Sequence, residues 1–369
     1  MNKTFKNLAV AALTTGAFSG AAVAQSSMVL YGVVDMGVRN ARNGTLGNTT
    51  SLSSGNNLTS RLGFRGTEDL GGGLSAGFVL EGNVGADVGS VGIPVPAGTF
   101  FNRQSYLSLA ANNVGEIRLG RDYVPTWSAT VTIDPFGGVG VGAFPNVLLQ
   151  TASHPLATAF GQASNASSLT WVNNAVQLRS AKYFGGFYAN GIAASRENQT
   201  TSATGSSLIR GARLGFQNPT VDASYSHVST DNTLVAGARF NDDVLSGMYD
   251  FGVVSLRAIR RTLRIQTDKQ VSTMLAATAP VGDFGVFKFS YIRTNQSGAN
   301  AALNADDATQ VAVGYVYNLS KMTALYATAA RISNKGQAFF NIPGGMAASA
   351  ANFGGQRSTG YEFGVRTAF

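Results

Sequence analysis

The sequence predicts an all-β protein, a transmembrane antiparallel β-barrel of sixteen strands. Three observations lead to this fold class. The first residues have the pattern of a secretory signal, and the chain ends on an alternating segment that closes with Phe369. No later apolar run reaches the roughly 18–20 residues that a membrane-spanning helix requires. Because lipid cannot satisfy exposed backbone groups, a membrane protein without such helices has to close its strands into a barrel.

The final strand has the clearest pattern of the sixteen. From Tyr361 to Phe369, every second residue is aromatic, valine or threonine, whereas the residues between them are charged or small. Side chains of a strand alternate between its two faces. One face of this segment therefore suits lipid and the other suits water.

The chain begins with a targeting segment that takes no part in the fold. Two lysines fall in the first six residues, residues 8–18 are mostly apolar, and Ala22-Val23-Ala24 supplies a cleavage site before Gln25. Cleavage of the signal peptide, residues 1–24, leaves residues 25–369 as a single barrel domain. It also removes two lysines, so that the formal net charge of +8 falls to +6.

The composition argues against the common soluble classes. Charged residues make up 12% of the chain, about half of the ~25% that is usual in soluble domains, and there are 45 glycines. Low charge together with abundant small residues disfavours both a soluble enzyme and an ordinary disordered chain. The chain has no cysteine, so disulfides do not hold together a protein that is bound for an oxidising compartment.

Alternation and turn residues divide the mature chain into strand pairs. Short turns alternate with longer polar loops, as expected for an outer-membrane barrel with an even number of strands. The pattern gives sixteen strands, seven short turns and eight loops, with both chain ends on the side of the short turns. The first five strands are predicted at 28–39, 58–68, 74–84, 100–109 and 116–121. The turns are predicted at 68–73, 112–115, 184–186, 218–219, 250–252, 282–283 and 318–320, and the first and longest loops at 40–57 and 122–167.

Strand eleven departs from the simple alternation. Leu256 and Ala258 have lipid-facing parity, and the same parity continues into Arg260 and Arg264. An arginine that faces the middle of the bilayer costs about 2–4 kcal/mol, but close to nothing near the interface. Either the two arginines lie at the outer rim, where anionic lipopolysaccharide pairs with them, or a β-bulge resets the phase of the strand.

Four sequence blocks resemble a known family. They are LYGVVD at 30–35, RLGFRGTEDL at 61–70, FNRQSYLSL at 101–109 and GEIRLGRDY at 115–123. Together they resemble the general diffusion porins of Gram-negative bacteria, and most of all the trimeric porins of β-proteobacteria. The similarity covers essentially the whole mature chain. It implies a homotrimer of sixteen-stranded barrels in which the third loop, 122–167 here, folds inward and constricts the lumen.

The resemblance also assigns residues to the constriction. Arg61 and Arg103 fall on the wall arginines of the second and fourth strands, Arg179 matches the arginine of the sixth, and Arg121 lies at the exit of strand five. Acids on the third loop would face these arginines. The usual Pro-Glu-Phe-Gly of that loop is replaced by Asp-Pro-Phe-Gly at 134–137, which moves the acid by one position.

The residues themselves also predict a charged lumen. Arg61, Arg65 and Arg103 share the parity of polar residues and therefore point into water. Rings of such side chains make a pore favour anions, and opposing carboxylates create a transverse field. The alternative is that these residues are simply solvated lumen charges. The candidate counter-charges are Asp122, Asp134 and Glu81.

Other motifs carry little weight. The glycine-rich stretch at 138–142 follows no buried strand and opens no helix, so it is not a dinucleotide site. His154 and His227 lack metal-ligand spacing, and we expect no metal and no cofactor. A Ser-His-acid hydrolase on the outer rim would need a pair such as His227 and Ser229.

We therefore expect a passive, water-filled channel of the Gram-negative outer membrane for small hydrophilic solutes, with a preference for anions and no enzyme activity. One rival is a channel specific for an anionic solute that carries a carboxylate or phosphate. Another is a structural barrel whose loops serve adhesion. The expected partners are two further copies of the chain, outer-membrane lipid and lipopolysaccharide, and the barrel assembly machinery, for which Phe369 is the family's recognition residue. No nucleic acid is expected.

Overall fold

The computed structural model describes residues 27–91, 99–148, 169–195, 208–231, 238–298 and 304–369. The predicted signal segment, residues 149–167 of the predicted third loop and His154 lie outside the described residues. No helix in the described ranges is long and apolar enough to cross a membrane.

The described residues form one sheet of eighteen strands in which all pairings are antiparallel. The strands are β1 (Ser27–Asn43), β2 (Asn48–Ser54), β3 (Arg61–Gly71), β4 (Leu74–Gly85), β5 (Ser90–Val91), β6 (Gln104–Ala111), β7 (Gly115–Tyr123), β8 (Trp171–Ser180), β9 (Phe187–Ala194), β10 (Ile209–Gln217), β11 (Val221–Asp231), β12 (Arg239–Asp250), β13 (Ser255–Ile265), β14 (Asp268–Val281), β15 (Gly285–Ser297), β16 (Ala308–Asn318), β17 (Thr323–Asn334) and β18 (Arg357–Ala368). The helices are α1 (Pro125–Ile133) and α2 (Ala350–Phe353), with single 3-10 turns at Gly44–Leu46 and Phe144–Val147.

The first and last strands close the sheet into a barrel. β18 pairs with β1 in one unbroken register, from Val33 opposite Ala368 to Asn43 opposite Ser358. At the chain end, Gly32 and Phe369 exchange two backbone hydrogen bonds of 3.0 and 3.1 Å. The predicted closure by the terminal strand is confirmed, and closure of the sheet removes the free edges that an open sheet would have.

Eighteen strands occupy sixteen barrel positions. β2 and β3 both pair with the same edge of β1, one after the other, and together fill the second position. β5 is a two-residue pairing with β4 in the connection that follows it. The sixteen-strand prediction is therefore confirmed, and the seven short turns fall where they were predicted.

Most residues of the predicted first loop, 40–57, form strands in the structure. β1 continues to Asn43, and β2 occupies residues 48–54 within the predicted loop 40–57. The two strands form a hairpin with Arg42 opposite Asn48. Apart from Ala41 and Leu52 their residues within the predicted loop are polar on both faces, so the regular apolar-polar alternation that identifies membrane strands is absent from this hairpin.

The two faces of the barrel wall differ in exposure. Leu275 and Tyr291 are 60% and 40% exposed on the outer face, whereas their sequence neighbours Met274 and Ile292 are fully buried on the inner face. Those inner side chains join a large apolar cluster with Ile133, Phe136 and Phe144 from the segment after β7. Apolar packing therefore lies between this segment and the inner face of the wall.

Strand eleven of the barrel, β13, keeps one phase throughout. Its register with β12 and β14 is unbroken from Ser255 to Ile265, so the β-bulge hypothesis is wrong. Arg260 is exposed on the outer face, with the parity of Leu256. It lies in one row with Thr273 and Arg293. This polar row directly borders an outward row that contains Leu275 and Tyr291, as expected where an apolar band ends.

Candidate functional site

Glu81 lies between two of the predicted wall arginines. The Arg103 Nε is 2.6 Å from Glu81 Oε1, and the Arg61 Nε is 3.3 Å from Glu81 Oε2. The hydroxyl of Tyr31 donates to the same Oε2 at 3.2 Å. The β3–β4 register brings Arg61 opposite Asn83, two residues from Glu81 on the same face. We call Arg61, Glu81 and Arg103 the wall cluster.

Neighbouring side chains fix the orientation of Arg103. Its Nη1 donates to Asn83 Oδ1 at 3.1 Å, and its Nη2 donates to the Tyr123 hydroxyl at 2.5 Å. The guanidinium carbon also lies 5.7 Å from the centre of the Tyr123 ring. With Nε bound to Glu81, each nitrogen of the guanidinium has a partner, and this holds the planar group in place.

A second charged cluster lies on β7 and β8. Arg118 pairs with Glu116 at 2.9 Å and with Asp122 at 3.0 Å. Its guanidinium stacks 4.4 Å from the centre of the Tyr106 ring. Arg179 lies opposite Glu116 in the β7–β8 register. Asp122 is a residue of β7 and not of the following loop, because the strand continues to Tyr123.

Arg65 and Arg121 stand apart from both clusters. Arg65 is exposed and lies 5.3 Å from the centre of the Tyr31 ring. Arg121 donates to the Asn102 carbonyl at 2.7 Å and to Asn173, and lies 5.5 Å from the Trp171 ring centre. Across the part of the chain that the structure describes, neither arginine forms an ion pair.

Asp134 binds the backbone of its own loop. Its carboxylate accepts hydrogen bonds from the N–H groups of Phe136 at 3.0 Å, Gly138 at 3.0 Å and Phe144 at 2.9 Å. Burial raises the pKa of Asp134, while these three N–H groups and the charge of Lys288 act in the opposite direction. Its described hydrogen bonds all go to the loop, and the structure does not bring its carboxylate together with Arg61 or Arg103.

Polar side chains from distant strands hold the segment between α1 and residue 148. Glu362 on β18 accepts from the N–H of Val141 at 3.1 Å. Gln310 on β16 donates to the carbonyls of Gly142 and Ala143 at 2.9 and 3.0 Å. Gln270 on β14 donates to the carbonyl of Val147 at 3.0 Å and to that of Leu148. Side chains of three strands thus bind the backbone of the one segment that lies between α1 and residue 148.

Two ion pairs support these contacts. The Arg39 Nε donates to Glu362 Oε2 at 3.0 Å across the seam between β1 and β18. Arg261, fully buried on β13, pairs with Asp242 at 2.7 Å and donates to the Thr130 hydroxyl of α1 at 3.2 Å. Because a buried charge is costly unless it is paired, these pairs fix the positions of the side chains that contact the segment.

The sequence matches the Gram-negative porin family over residues 9–337. The chain belongs to this family. The porin is 35% identical over 368 residues to outer membrane porin protein 32 of Delftia acidovorans, covering 97% of this chain and 98% of the relative. Its fold is similar to that of an anion-selective porin from Comamonas acidovorans, with a TM-score of 0.81 and 33% identity over 94% of this chain and all of the other.

A more distant neighbour has the same fold. OmpT of Vibrio cholerae, in a trimer form, matches with a TM-score of 0.64 and 12% identity over 93% of this chain and 99% of the other. At that identity the likeness concerns the fold alone. The family and its fold are those of channels and not of enzymes.

The outer-rim histidine of this porin has a structural partner. His227 Nδ1 lies 2.8 Å from Asp243 Oδ1, and the Tyr225 hydroxyl donates to the same oxygen at 2.7 Å. In the described residues, no hydrogen bond joins His227 to Ser229. The geometry therefore gives no support to the hydrolase alternative.

The sequence missed several residues that organise the site. Arg118 shares the parity of Glu116 and Asp122, so alternation along β7 alone was enough to include it. Arg39 and Glu362 are far apart in the chain and meet only at the closing seam. The amides of Gln270 and Gln310 have no sequence signal, because their partners are loop carbonyls.

Proposed function

We propose that this porin is a passive, water-filled channel of the Gram-negative outer membrane for small hydrophilic solutes and ions, with a preference for anions. The observation that carries the anion preference is the sharing of one carboxylate, Glu81, by Arg61 and Arg103. Two guanidinium groups against one carboxylate leave positive charge in excess, and such charges make a pore favour anions. The similarity to a porin described as anion-selective supports the same preference.

Glu81 also limits how tightly the wall cluster holds an anion. One pair of unit charges ~4 Å apart is worth about 4 kcal/mol at an effective dielectric of 20. Two arginines without a counter-charge would bind an anion more strongly than fast conduction allows. Because Glu81 lies between the two arginines and offsets part of their charge, an anion is attracted to the wall cluster but is not held there.

The constriction in this proposal has two sides. The wall side consists of Arg61, Arg65 and Arg103 together with Glu81. Arg121, Arg179 and Asp122 extend it. The other side is the third loop, predicted at 122–167, whose described part after β7, residues 124–148, folds into the lumen in this proposal. The contacts of Val141, Gly142 and Val147 with inward side chains of β14, β16 and β18 support this inward position. Asp134 contributes by fixing the shape of the loop.

Export and assembly follow the family pattern in our proposal. Residues 1–24 are cleaved, the barrel assembly machinery reads Phe369, and three copies of residues 25–369 associate. Amino-terminal sequencing of the outer-membrane protein should begin at Gln25. Cross-linking in the membrane should give a species of three chains, and deletion of Phe369 should lower the amount that reaches the membrane.

We further propose that lipopolysaccharide contacts the outer rim at Arg260 and Arg264, which are both exposed with the outward parity of Leu256, and that Arg293 adds to this surface. Arg260 and Arg293 share one outward row with Thr273, next to the apolar row that contains Leu275 and Tyr291. An unpaired arginine is tolerated at an interface, and an anionic headgroup stabilises it there. Replacement of Arg260 and Arg264 by glutamine should reduce the lipopolysaccharide that co-purifies with the protein, and an unchanged amount would contradict this contact.

Single-channel recording in planar bilayers tests the proposed activity. A general porin should give large conductance steps in groups of three that do not saturate with solute, and a reversal potential on the anion side in a potassium chloride gradient. A small conductance that one carboxylate or phosphate compound blocks would favour the substrate-specific alternative. The absence of any conductance would contradict both.

A further inference from the structure

Both tryptophans of the chain line one cavity at the wall cluster. The chain contains two tryptophans, Trp127 on α1 and Trp171 at the start of β8. They border a cavity of about 440 Å³ together with Arg103 and several small hydroxyl side chains. Its volume falls within the roughly 300–1,000 Å³ of small-molecule sites. The hydroxyl side chains are Ser53, Ser54, Thr59, Ser60, Ser90 and Thr170, and the exposed acid Asp87 also borders the cavity.

The position of the tryptophans is unusual for a membrane barrel. Tryptophan and tyrosine commonly form the girdles where the barrel meets the lipid headgroups. Here Trp127 packs instead against the buried cluster of Val124, Val172 and Ile192. A path for hydrated ions has no need of large aromatic surfaces, whereas a site for a flat apolar group does.

Aromatic rings and guanidinium groups alternate beside the cavity, where Trp171 and Arg103 line it and Tyr123 and Arg121 lie next to them. The rings of Trp171 and Tyr123 lie 6.0 Å apart and are tilted by 32°. Arg121 lies over Trp171 at 5.5 Å, and Arg103 lies over Tyr123 at 5.7 Å. A guanidinium group beside an aromatic ring is a favourable arrangement that also offers donors to an anion.

Arg103 retains donors for a ligand. A guanidinium carries five N–H bonds. In the described structure Nε donates to Glu81, Nη1 to Asn83 and Nη2 to the Tyr123 hydroxyl. One N–H therefore remains on each terminal nitrogen, and both are held in a fixed plane. Such donors suit a carboxylate.

We propose that this cavity is a binding subsite for aromatic carboxylates, with the carboxylate on Arg103 and the ring against Trp127 and Trp171. The inference rests on the proposed anion channel and adds a preferred class of solute to it. Charge alone would treat benzoate and acetate alike. The tryptophans make the aromatic anion bind better, so that it enters the constriction at lower concentration than a small anion does.

Intrinsic fluorescence gives a direct test, because the only two tryptophans of the chain both line the cavity. Benzoate added to the trimer in detergent should change the emission saturably. Cyclohexanecarboxylate, of the same charge and similar size but without an aromatic ring, should bind more weakly, and acetate should have no effect. Trp127→Leu and Trp171→Leu should each weaken benzoate binding roughly threefold to tenfold, and Arg103→Gln should weaken it at least tenfold.

Two controls keep the test decisive. Tyr249→Leu changes an exposed aromatic residue on the outer face and should leave benzoate binding unchanged. If Trp127→Leu does not fold, Trp127→Phe keeps the packing and part of the aromatic surface, and it should bind benzoate with intermediate affinity. A fluorescence change that is linear in benzoate, or identical in Arg103→Gln, would overturn the proposal.

Conductance separates failure of the subsite from failure of the channel. In planar bilayers, benzoate should block chloride current saturably at concentrations at which acetate does not. An anion-preferring channel that benzoate does not block would overturn the subsite and leave the proposed function standing. Loss of the anion preference in the wild-type protein would overturn the proposed function itself.

Discussion

Glu81 and Arg103 form the shortest ion pair of the wall cluster, with 2.6 Å between Oε1 and Nε. Because Arg61 approaches the second oxygen of the same carboxylate, one acid serves two bases. The charge of the cluster is therefore positive, but by one unit rather than two. This balance depends on the pairing of β3 with β4 and on the position of Arg103 directly before β6, so the strand register determines the charge on which the proposed anion preference rests.

Removal of the shared carboxylate should strengthen the anion preference. In Glu81→Gln the two arginines lose their counter-charge, so we expect the chloride-to-potassium permeability ratio to rise roughly threefold or more at low salt. Unlike that of the wild type, the conductance of this variant should saturate with chloride, because each anion leaves more slowly. Reversal potentials in a salt gradient measure the first effect. Glu68→Gln, which removes an exposed carboxylate near the turn, is the matched control, and an equal shift there would contradict a local role for Glu81.

Loss of Glu362 should release the third loop. Its carboxylate holds the N–H of Val141 and pairs with Arg39, so Glu362→Ala leaves the buried Arg39 without its counter-charge and with only the Asn56 oxygen as a side-chain partner, at a cost of up to about 3–5 kcal/mol. We expect a lower melting temperature, faster proteolysis after β7 and a noisier channel. Tyr361→Phe, at the adjacent outward position, should behave like the wild type. A quiet, protease-resistant Glu362→Ala channel would contradict the attachment.

Asp134 should matter for loop shape more than for ion selectivity. In Asp134→Asn an NH2 group replaces one of the two carboxylate oxygens, so at least one of the N–H groups of Phe136, Gly138 and Phe144 loses its acceptor, at about 1–3 kcal/mol. We expect easier proteolysis of the loop and larger current fluctuations, with a change in permeability ratio smaller than that of Glu81→Gln. A selectivity change larger than that of Glu81→Gln would instead place Asp134 against the permeating ions.

Gly314 makes room for the loop. A Cβ added to Gly314 would lie 2.9 Å from the ring of Phe136. Gly314→Val should therefore overpack this contact and destabilise the protein by about 1–3 kcal/mol. The double variant Gly314→Val, Phe136→Ala should recover part of that loss, because the clash partner is gone. Thermal unfolding of the four proteins in this cycle measures the coupling, and strictly additive effects would show that the two residues do not interact.

Alternation along the strands was enough to predict the barrel, its turns and the inward direction of Arg61. Glu81 was one of three candidate counter-charges, but alternation could not predict that it contacts both Arg61 and Arg103, because that contact depends on the register between neighbouring strands. The sequence also could not predict the role of Asp134. Its partners are backbone N–H groups of a loop, and an irregular loop has no sequence periodicity from which its conformation can be predicted. The hairpin of β1 and β2 was not predicted either, because its mostly polar faces lack the alternation that identifies a membrane strand.

The central claim is that Arg61 and Arg103 set the anion preference, and one measurement tests it most directly. The double variant Arg61→Gln, Arg103→Gln should fold and insert as the wild type does, and its reversal potential in a potassium chloride gradient should move toward the cation side. Arg260→Gln, which removes an outward arginine, should leave the reversal potential unchanged. An unchanged reversal potential in the double variant would contradict the assignment of the constriction.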